Sequence, residues 1–193
     1  MSDSETPTET AHGPTELDLT PMLKRSWALF SEQPVVHVLA TVLLVGVSTL
    51  TLSLATGPLV VGYIRLIRRQ AAGQAITLGQ IWDDVEPVPA GIVVWLALVL
   101  AAAIGSSLLV LPGVLAVLFW GFAPWHLAFN ASETQAALRG AYELARAELG
   151  GVLLTLLVAT TLVVLGLATV LGAIIALPVG VIFLTLAYEA LNQ

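Results

Sequence analysis

The chain has 193 residues, of which 58% are hydrophobic and only 10% are charged, and its mean hydropathy is +0.94. This composition is typical of an integral membrane protein and excludes a water-soluble enzyme. The absence of cysteine excludes a disulfide-stapled secreted fold, and a net charge of -6 excludes a nucleic-acid binder.

The N-terminal tail, residues 1–17, is acidic and rich in Ser, Thr and Pro, so we expect it to be disordered. It does not resemble a signal peptide, because it lacks a basic start and no cleavage site follows the first apolar run. We therefore predict a disordered acidic tail over residues 1–17 and a single transmembrane domain over residues 18–193.

Charged residues are absent from three long stretches, residues 33–64, 87–132 and 149–188. A spanning helix needs about 20 apolar residues, so the second and third stretches, of 46 and 40 residues, each hold two crossings. The first stretch has 32 residues and is too short for two full crossings. Six spans would require its second helix to continue through Arg65 and Arg68, with their side chains snorkelling to the interface. We predict an all-α bundle of about six spans, with five as the alternative.

In each charge-free stretch, one of the prolines lies at about the point where a second helix would begin. These prolines are Pro58, Pro112 and Pro178. Proline suits the first turn of a helix, where its missing N–H would have no partner anyway. We therefore predict three hairpins that form an internal repeat, each hairpin turning at its proline.

Amphipathic helices are predicted ahead of the hairpins, on the cytoplasmic surface of the membrane. Over residues 19–30, Leu23, Trp27 and Phe30 share one face, and two basic residues lie on another. Residues 78–85 have a shorter version of the same pattern. Each helix thus carries an interfacial aromatic residue just before the chain enters the bilayer.

The third linker helix has the clearest pattern. Ser132 and Gln135 have the spacing of a capping box, which predicts Ser132 as the N-cap. The predicted apolar face consists of Leu138, Tyr142, Ala145 and Leu149. Arg139 and Glu143 are four residues apart and are predicted to form an ion pair on the opposite face.

The basic residues indicate the orientation. They are Lys24, Arg25, Arg65, Arg68, Arg69, Arg139 and Arg146. If the apolar stretches are hairpins, all seven lie on one side of the bilayer, and the positive-inside rule assigns that side to the cytoplasm. We therefore expect a multi-pass protein of the plasma membrane with both termini in the cytoplasm.

Two short motifs resemble known families. The first motif comprises Gly62, Tyr63, Arg65, Arg68, Arg69, Gly73, Leu78, Trp82, Asp83 and Asp84, and the second is the Ala-Ala-Leu-Arg-Gly-Ala-Tyr run over residues 136–142. Together they resemble uncharacterised polytopic membrane protein families of archaea and bacteria, a group that includes the membrane domains attached to glycerophosphodiester phosphodiesterases. The resemblance covers most of residues 20–190 and implies a helical membrane fold. It implies no activity, and no phosphodiesterase domain is present.

Arg65, Arg68 and Arg69 are the strongest candidates for a binding site, because their spacing puts all three guanidinium groups on one helix face. If the hairpin turns at Gly57 and Pro58, Arg65 lies near the middle of the bilayer and would bind an anionic headgroup or solute. If the hairpin turns earlier, the triplet is an anchor at the inner interface.

A second candidate polar site consists of His126 and Asn130, four residues apart near the inner end of the fourth predicted span. The alternative is a helix end in an aromatic belt, and the same two interpretations apply to His37. With no cysteine and only three scattered histidines, the sequence predicts no metal site and no cofactor. The adjacent acidic residues Asp83 and Asp84 are predicted to be a solvated helix face.

Small residues spaced four apart, Ala101 with Gly105 and Ala168 with Gly172, permit close helix approach. They are compatible with packing inside one bundle and with a homo-oligomer. The lipid bilayer is the one partner that the sequence predicts, and protein partners stay open.

Three functions are compatible with these features. The first is a non-catalytic membrane scaffold or accessory protein, since residues 87–132 and 149–188 lack the carboxylates that coupled carriers commonly use. The alternative is a small transporter or channel subunit with an anion site at Arg65, Arg68 and Arg69. The third is a lipid-modifying membrane enzyme, for which Asp83, Asp84 and His126 would supply only a thin catalytic cluster.

Overall fold

In the computed structural model, the described parts of the chain are residues 18–83, 88–108, 110–130, 133–167 and 170–192, and within them every regular element is a helix. The helices are α1 (Leu19–Glu32), α2 (Pro34–Leu50), α3 (Thr56–Ala71), α4 (Gln80–Asp83), α5 (Val88–Leu108), α6 (Val110–Trp120), α7 (Ala123–Asn130), α8 (Thr134–Ala147), α9 (Leu149–Leu167) and α10 (Val170–Leu191). The all-α prediction is therefore confirmed. The tail, residues 1–17, lies outside the described residues.

Within the described residues, four segments are long and apolar enough to cross a membrane. They are Val88–Ser107, Leu111–Asn130, Leu149–Leu167 and Ile174–Leu191. A fifth would be added if α1 and α2, which meet at an angle of 93°, were counted as one broken span. The chain thus has the helices of a membrane protein, but the predicted count of six spans is not confirmed.

The two predicted spans that are not found belong to the first charge-free stretch, residues 33–64. Helices α2 and α3 have 17 and 16 residues, which at about 1.5 Å per residue is roughly 25 Å, less than a hydrocarbon core of about 30 Å. The last two turns of α3 also carry all three arginines of the triplet. Neither helix alone therefore has the length and composition of a span.

Two of the three prolines occupy the predicted position. Pro58 is the third residue of α3, and Pro112 is the third residue of α6. The prediction for Pro178 is wrong, because this residue is the ninth of α10 and lies inside that helix. A membrane helix tolerates an internal proline where neighbouring helices cover the freed carbonyl, and Pro178 is buried in the bundle.

Glycines bring the long helices together in pairs. A Cβ placed on Gly105 of α5 would lie 2.6 Å from the backbone nitrogen of Gly113 in α6. In the same way, Gly166 of α9 packs directly against Gly172 and Ala176 of α10. The small residues predicted at Gly105 and Gly172 thus serve packing within one chain, whereas Ala168 lies outside the described residues.

The linker helices differ in detail from their predictions. Helix α8 begins at Thr134 with Glu133 as its N-cap and no side-chain capping bond, so the predicted capping box is not its start; Ser132 lies outside the described residues. Its buried residues are Ala137, Ala141, Leu144 and Ala145. The buried face is therefore rotated away from Tyr142, because alanines allow α8 to approach α7 more closely. The predicted pair of Arg139 and Glu143 is confirmed, with Nε and Oε1 2.8 Å apart.

The other two linkers are also placed differently. Helix α1 is predicted to lie on the membrane surface, which would put it across one end of the bundle. The structure places it elsewhere. Its residues Leu23 and Trp27 line a groove with Ile175 and Val179, more than ten residues before the end of α10, so α1 runs along α10. In the short helix α4, Ile81 is buried, and residues 84–87 lie outside the described part of the chain.

Helix α3 is the most enclosed element of the bundle. Of its 16 residues, 11 are buried, and it packs against α2, α4, α5, α7 and α10. By contrast, α5 and α9 have only 17% of their span residues buried and form the outer wall. The helix that carries the arginine triplet is therefore at the centre, surrounded by apolar helices.

Gly57 is the tightest crossing point of α3. A Cβ on Gly57 would overlap the carbonyl group of Gly91 in α5 and lie 2.8 Å from the Cβ of Trp95. We expect Gly57→Ala to lower the free energy of unfolding in detergent by about 1–3 kcal/mol, because the backbone of α5 must move to accept the methyl group. Denaturant titration followed by circular dichroism measures this loss.

Gly46→Ala is the matched control, because nothing lies within 4 Å of a Cβ at Gly46. We expect no loss of stability there, since alanine is the better helix former by about 1 kcal/mol. Equal losses in the two variants would contradict a close helix crossing at Gly57.

Candidate functional site

The three arginines of α3 line one cleft, as their helical spacing predicts. The cleft has a volume of about 340 Å³ and is lined by Arg65, Arg68, Arg69, Ala72, Gln74, Ala128 and Glu189. It lies where α3, α7 and α10 all end. Because Glu189 is part of the lining, the arginine charge is partly balanced.

Arg65 supports the end of α7. Its Nε donates to the carbonyl oxygen of Ala128 at 3.1 Å, and its Nη2 is 3.5 Å from that of Leu127. Both carbonyls lie in the last turn of α7, where the helix itself supplies no donors. A guanidinium group there satisfies the carbonyls and lies at the negative end of the helix dipole. Arg65 therefore joins α3 to α7, a role that neither sequence interpretation included.

Arg68 packs on an aromatic cluster. Its guanidinium carbon is 3.8 Å from the centre of the Phe129 ring, a cation–π contact. The Phe129 ring is in turn 4.9 Å from that of Tyr188 in α10. Arg68 thus extends a stack that links α3, α7 and α10.

The second candidate pair, His126 and Asn130, meets at Tyr188 of α10, which also has a side-chain hydrogen bond to Asn130. His126 Nδ1 is 2.9 Å from the Tyr188 hydroxyl, and its ring lies against Gly140, where a Cβ would overlap the imidazole. Asn130 is the exposed last residue of α7. His126 is therefore part of the contact between α7, α8 and α10.

A buried polar network around His37 was not anticipated from the sequence beyond a general polar role. His37 is completely buried, with Nδ1 3.0 Å from the Tyr63 hydroxyl and Nε2 2.7 Å from Gln70 Oε1. The Gln70 amide nitrogen donates to the carbonyl of Leu29 at 2.7 Å and to Glu32 at 3.2 Å. These groups come from α1, α2 and α3, up to 41 residues apart, so no local pattern marks them.

The directions of these hydrogen bonds follow from the Gln70 amide. Its nitrogen faces the Leu29 carbonyl, so its oxygen must accept from His37 Nε2. His37 Nδ1 is then free to accept the Tyr63 hydroxyl proton. Each of the three side chains His37, Tyr63 and Gln70 has a partner when the imidazole is neutral, which is the condition for a stable polar network inside a bundle.

Metal ligation has no support in the described part of the chain. No group of three or more His, Cys, Asp or Glu side chains there could hold a metal ion. Asp83 is exposed, and its neighbour Asp84 lies outside the described residues.

Removing Arg65 should loosen α7. We expect Arg65→Ala to lower the free energy of unfolding in detergent by about 1–3 kcal/mol, since the carbonyls of Leu127 and Ala128 lose a charged donor. Arg139→Ala, which breaks a pair with side chains 81% and 60% exposed, should cost less than about 1 kcal/mol. A loss at Arg65 no larger than that at Arg139 would show that the cap is not stabilising.

The His37 network can be tested with a double-mutant cycle. His37→Phe and Gln70→Leu should each destabilise the protein by about 1–3 kcal/mol, because each leaves a buried polar partner unpaired. The double variant should be more stable than the sum of the two losses implies, with a coupling energy of about 0.5–3 kcal/mol from the same unfolding titrations. Strictly additive losses would mean that the two side chains are not coupled.

No protein-family model, curated protein or solved structure matches this chain. The resemblance to polytopic membrane protein families therefore stays a prediction from the sequence. Any functional assignment depends on the geometry of the bundle itself.

Proposed function

We propose that this chain is a non-catalytic integral membrane protein that acts as a scaffold or accessory protein. The observation that carries the proposal is the engagement of its polar side chains in packing. Arg65 holds the end of α7, Arg68 stacks on Phe129, and His37 and His126 bond to tyrosines of neighbouring helices. Groups that would otherwise be candidates for binding or catalysis thus stabilise the contacts between helices.

Our proposal for the topology is that the four long segments cross the plasma membrane and that the arginine cleft faces the cytoplasm. Five of the seven basic residues lie on α3 and α8, which pack around the end of α7, and basic residues concentrate on the cytoplasmic side. The C-terminus then lies in the cytoplasm, as predicted, whereas Leu23 of α1 lies beside the first half of α10, away from that end. Of the three predicted repeat hairpins, α5 with α6–α7 and α9 with α10 are the ones that cross completely.

The outer surface supports a role in binding lipid or other membrane proteins. A cleft of about 500 Å³ lies between α5, α6 and α8, and its lining includes Trp120, Leu138 and Tyr142. Its volume is in the range of about 300–1,000 Å³ that ligand sites occupy. Apolar clefts rimmed by interfacial aromatics suit acyl chains or a neighbouring membrane helix, including one from a second copy of this chain.

The second candidate is a small transporter or channel subunit that binds an anion at Arg65, Arg68 and Arg69. One observation favours it, namely that all three side chains line the same 340 Å³ cleft. Arginine clusters bind phosphate and carboxylate groups strongly, because the guanidinium group presents paired donors.

An efflux assay separates the two functions. The full chain is reconstituted into phosphatidylcholine and phosphatidylglycerol vesicles loaded with chloride, sulfate or phosphate, and efflux is followed with ion-selective electrodes. A scaffold should give the same efflux as protein-free vesicles. Efflux above that background which Arg68→Ala removes, and which Arg139→Ala leaves intact, would overturn the scaffold proposal and support the anion transporter.

A further inference from the structure

The turn between α2 and α3 has an apolar, exposed tip. Leu50 and Leu52 are 85% and 87% exposed, and Leu54 is 49% exposed. No charged residue occurs anywhere between residues 33 and 64. A turn in water would normally be polar, and three exposed leucines in five residues indicate an apolar environment.

The backbone N–H groups of this tip are all hydrogen-bonded within the turn. Every N–H from residue 51 to residue 56 donates a hydrogen bond within the turn, five of them to carbonyl oxygens and that of Ala55 to the Thr51 hydroxyl at 3.2 Å. The hydroxyl groups of Thr51 and Thr56 also donate internally, to Val47 and Ser48. Backbone in hydrocarbon must meet this requirement, because lipid offers no hydrogen-bonding partner, whereas a loop in water need not.

The compact turn includes two residues in an unfavourable conformation. Leu52 has φ 51° and Ser53 has φ 66°, in the left-handed region that non-glycine residues rarely adopt. This geometry lets the turn close its hydrogen bonds, and it points the leucines outward. The conformation of the tip is therefore determined by its backbone hydrogen bonds more than by burial of its side chains.

The contacts of α3 give the depth of the tip. Gly57 crosses α5 at Gly91, the fourth residue of the span Val88–Ser107. The remaining 16 residues of that span extend about 24 Å beyond the crossing. Farther along α3, Gly62 packs on Ile81 of the linker helix α4. The hairpin therefore stays beside the first part of α5 and ends well short of the far end of the bundle.

We propose that α2 and α3 form a re-entrant hairpin, which enters the bilayer from the side of the arginine cleft and places Leu50, Leu52 and Leu54 among the acyl chains of that leaflet. The inference rests on the proposed crossing of the four long helices. It replaces both predicted counts, six spans and five, with four spans and one half-inserted hairpin. The three exposed leucines of the hairpin thus contact the hydrocarbon interior of the membrane.

The chain contains no cysteine, so single cysteines can report depth directly. Leu52→Cys is labelled with a nitroxide in the full chain, in vesicles of phosphatidylcholine and phosphatidylglycerol. Collisions with oxygen, which concentrates in hydrocarbon, and with a water-soluble nickel chelate are then measured by electron paramagnetic resonance. Leu50→Cys is a second reporter at a residue with ordinary backbone geometry.

Two control positions mark the two faces of the membrane. Leu111→Cys lies at the start of a span and is 66% exposed, and Gln74→Cys is exposed just after α3. An impermeant maleimide added outside or inside the vesicles should reach these two positions from opposite sides. Reaction of both from one side would overturn the proposed crossing, independently of the hairpin.

The re-entrant hairpin predicts that Leu52→Cys and Leu50→Cys react with the maleimide from neither side. Nitroxide labels at these positions should collide with oxygen far more than with the nickel chelate. Their depth should fall within the leaflet on the Gln74 side. Reaction of Leu52 from the Leu111 side would mean that the hairpin crosses fully. Reaction from the Gln74 side, with strong nickel collisions, would mean that it stays in water, and either result overturns the proposal.

Discussion

The fold depends on the enclosure of one polar helix by apolar ones. Helix α3 carries three arginines and a glutamine in its last two turns, and ionised side chains are costly in hydrocarbon unless they face a bundle interior or a partner. The apolar helices α5, α7 and α10 therefore pack around it, together with α2. The glycines at positions 57 and 62 make this enclosure tight, because they let the backbones of α5 and α4 come into direct contact with α3.

Two sets of polar bonds join α3 to its neighbours in different directions. On one side, Gln70 and Tyr63 bond to His37 of α2, and Gln70 reaches the carbonyl of Leu29 in α1. On the other side, Arg65 caps α7, and Arg68 stacks on its aromatic end. Since the apolar contacts between helices are non-directional, these bonds define which neighbours α3 has and at what register. The polar residues that stand out in the sequence thus serve specificity of packing.

How much could be predicted from the sequence depends on the range of each signal. Apolar length and composition predicted the helices α5, α9 and α10, and helical spacing alone placed Arg65, Arg68 and Arg69 on one face. Pro178 was misassigned because a proline is compatible with a first turn and with a well-covered helix interior, and only the neighbouring helices distinguish the two. The His37 network and the cap on α7 join residues 26 to 63 positions apart, so no periodicity encodes them. The buried face of α8 was also mispredicted. Small alanines pack there against neighbouring helices, where larger apolar residues were expected to be buried.

The enclosure of α3 has a consequence for the order of assembly. Helices α7 and α10, which close around the arginine-bearing end of α3, both follow it in the sequence. A nascent chain that ends after α3 would therefore present Arg65 and Arg68 without the Leu127 and Ala128 carbonyls and the Phe129 ring that they contact in the full chain.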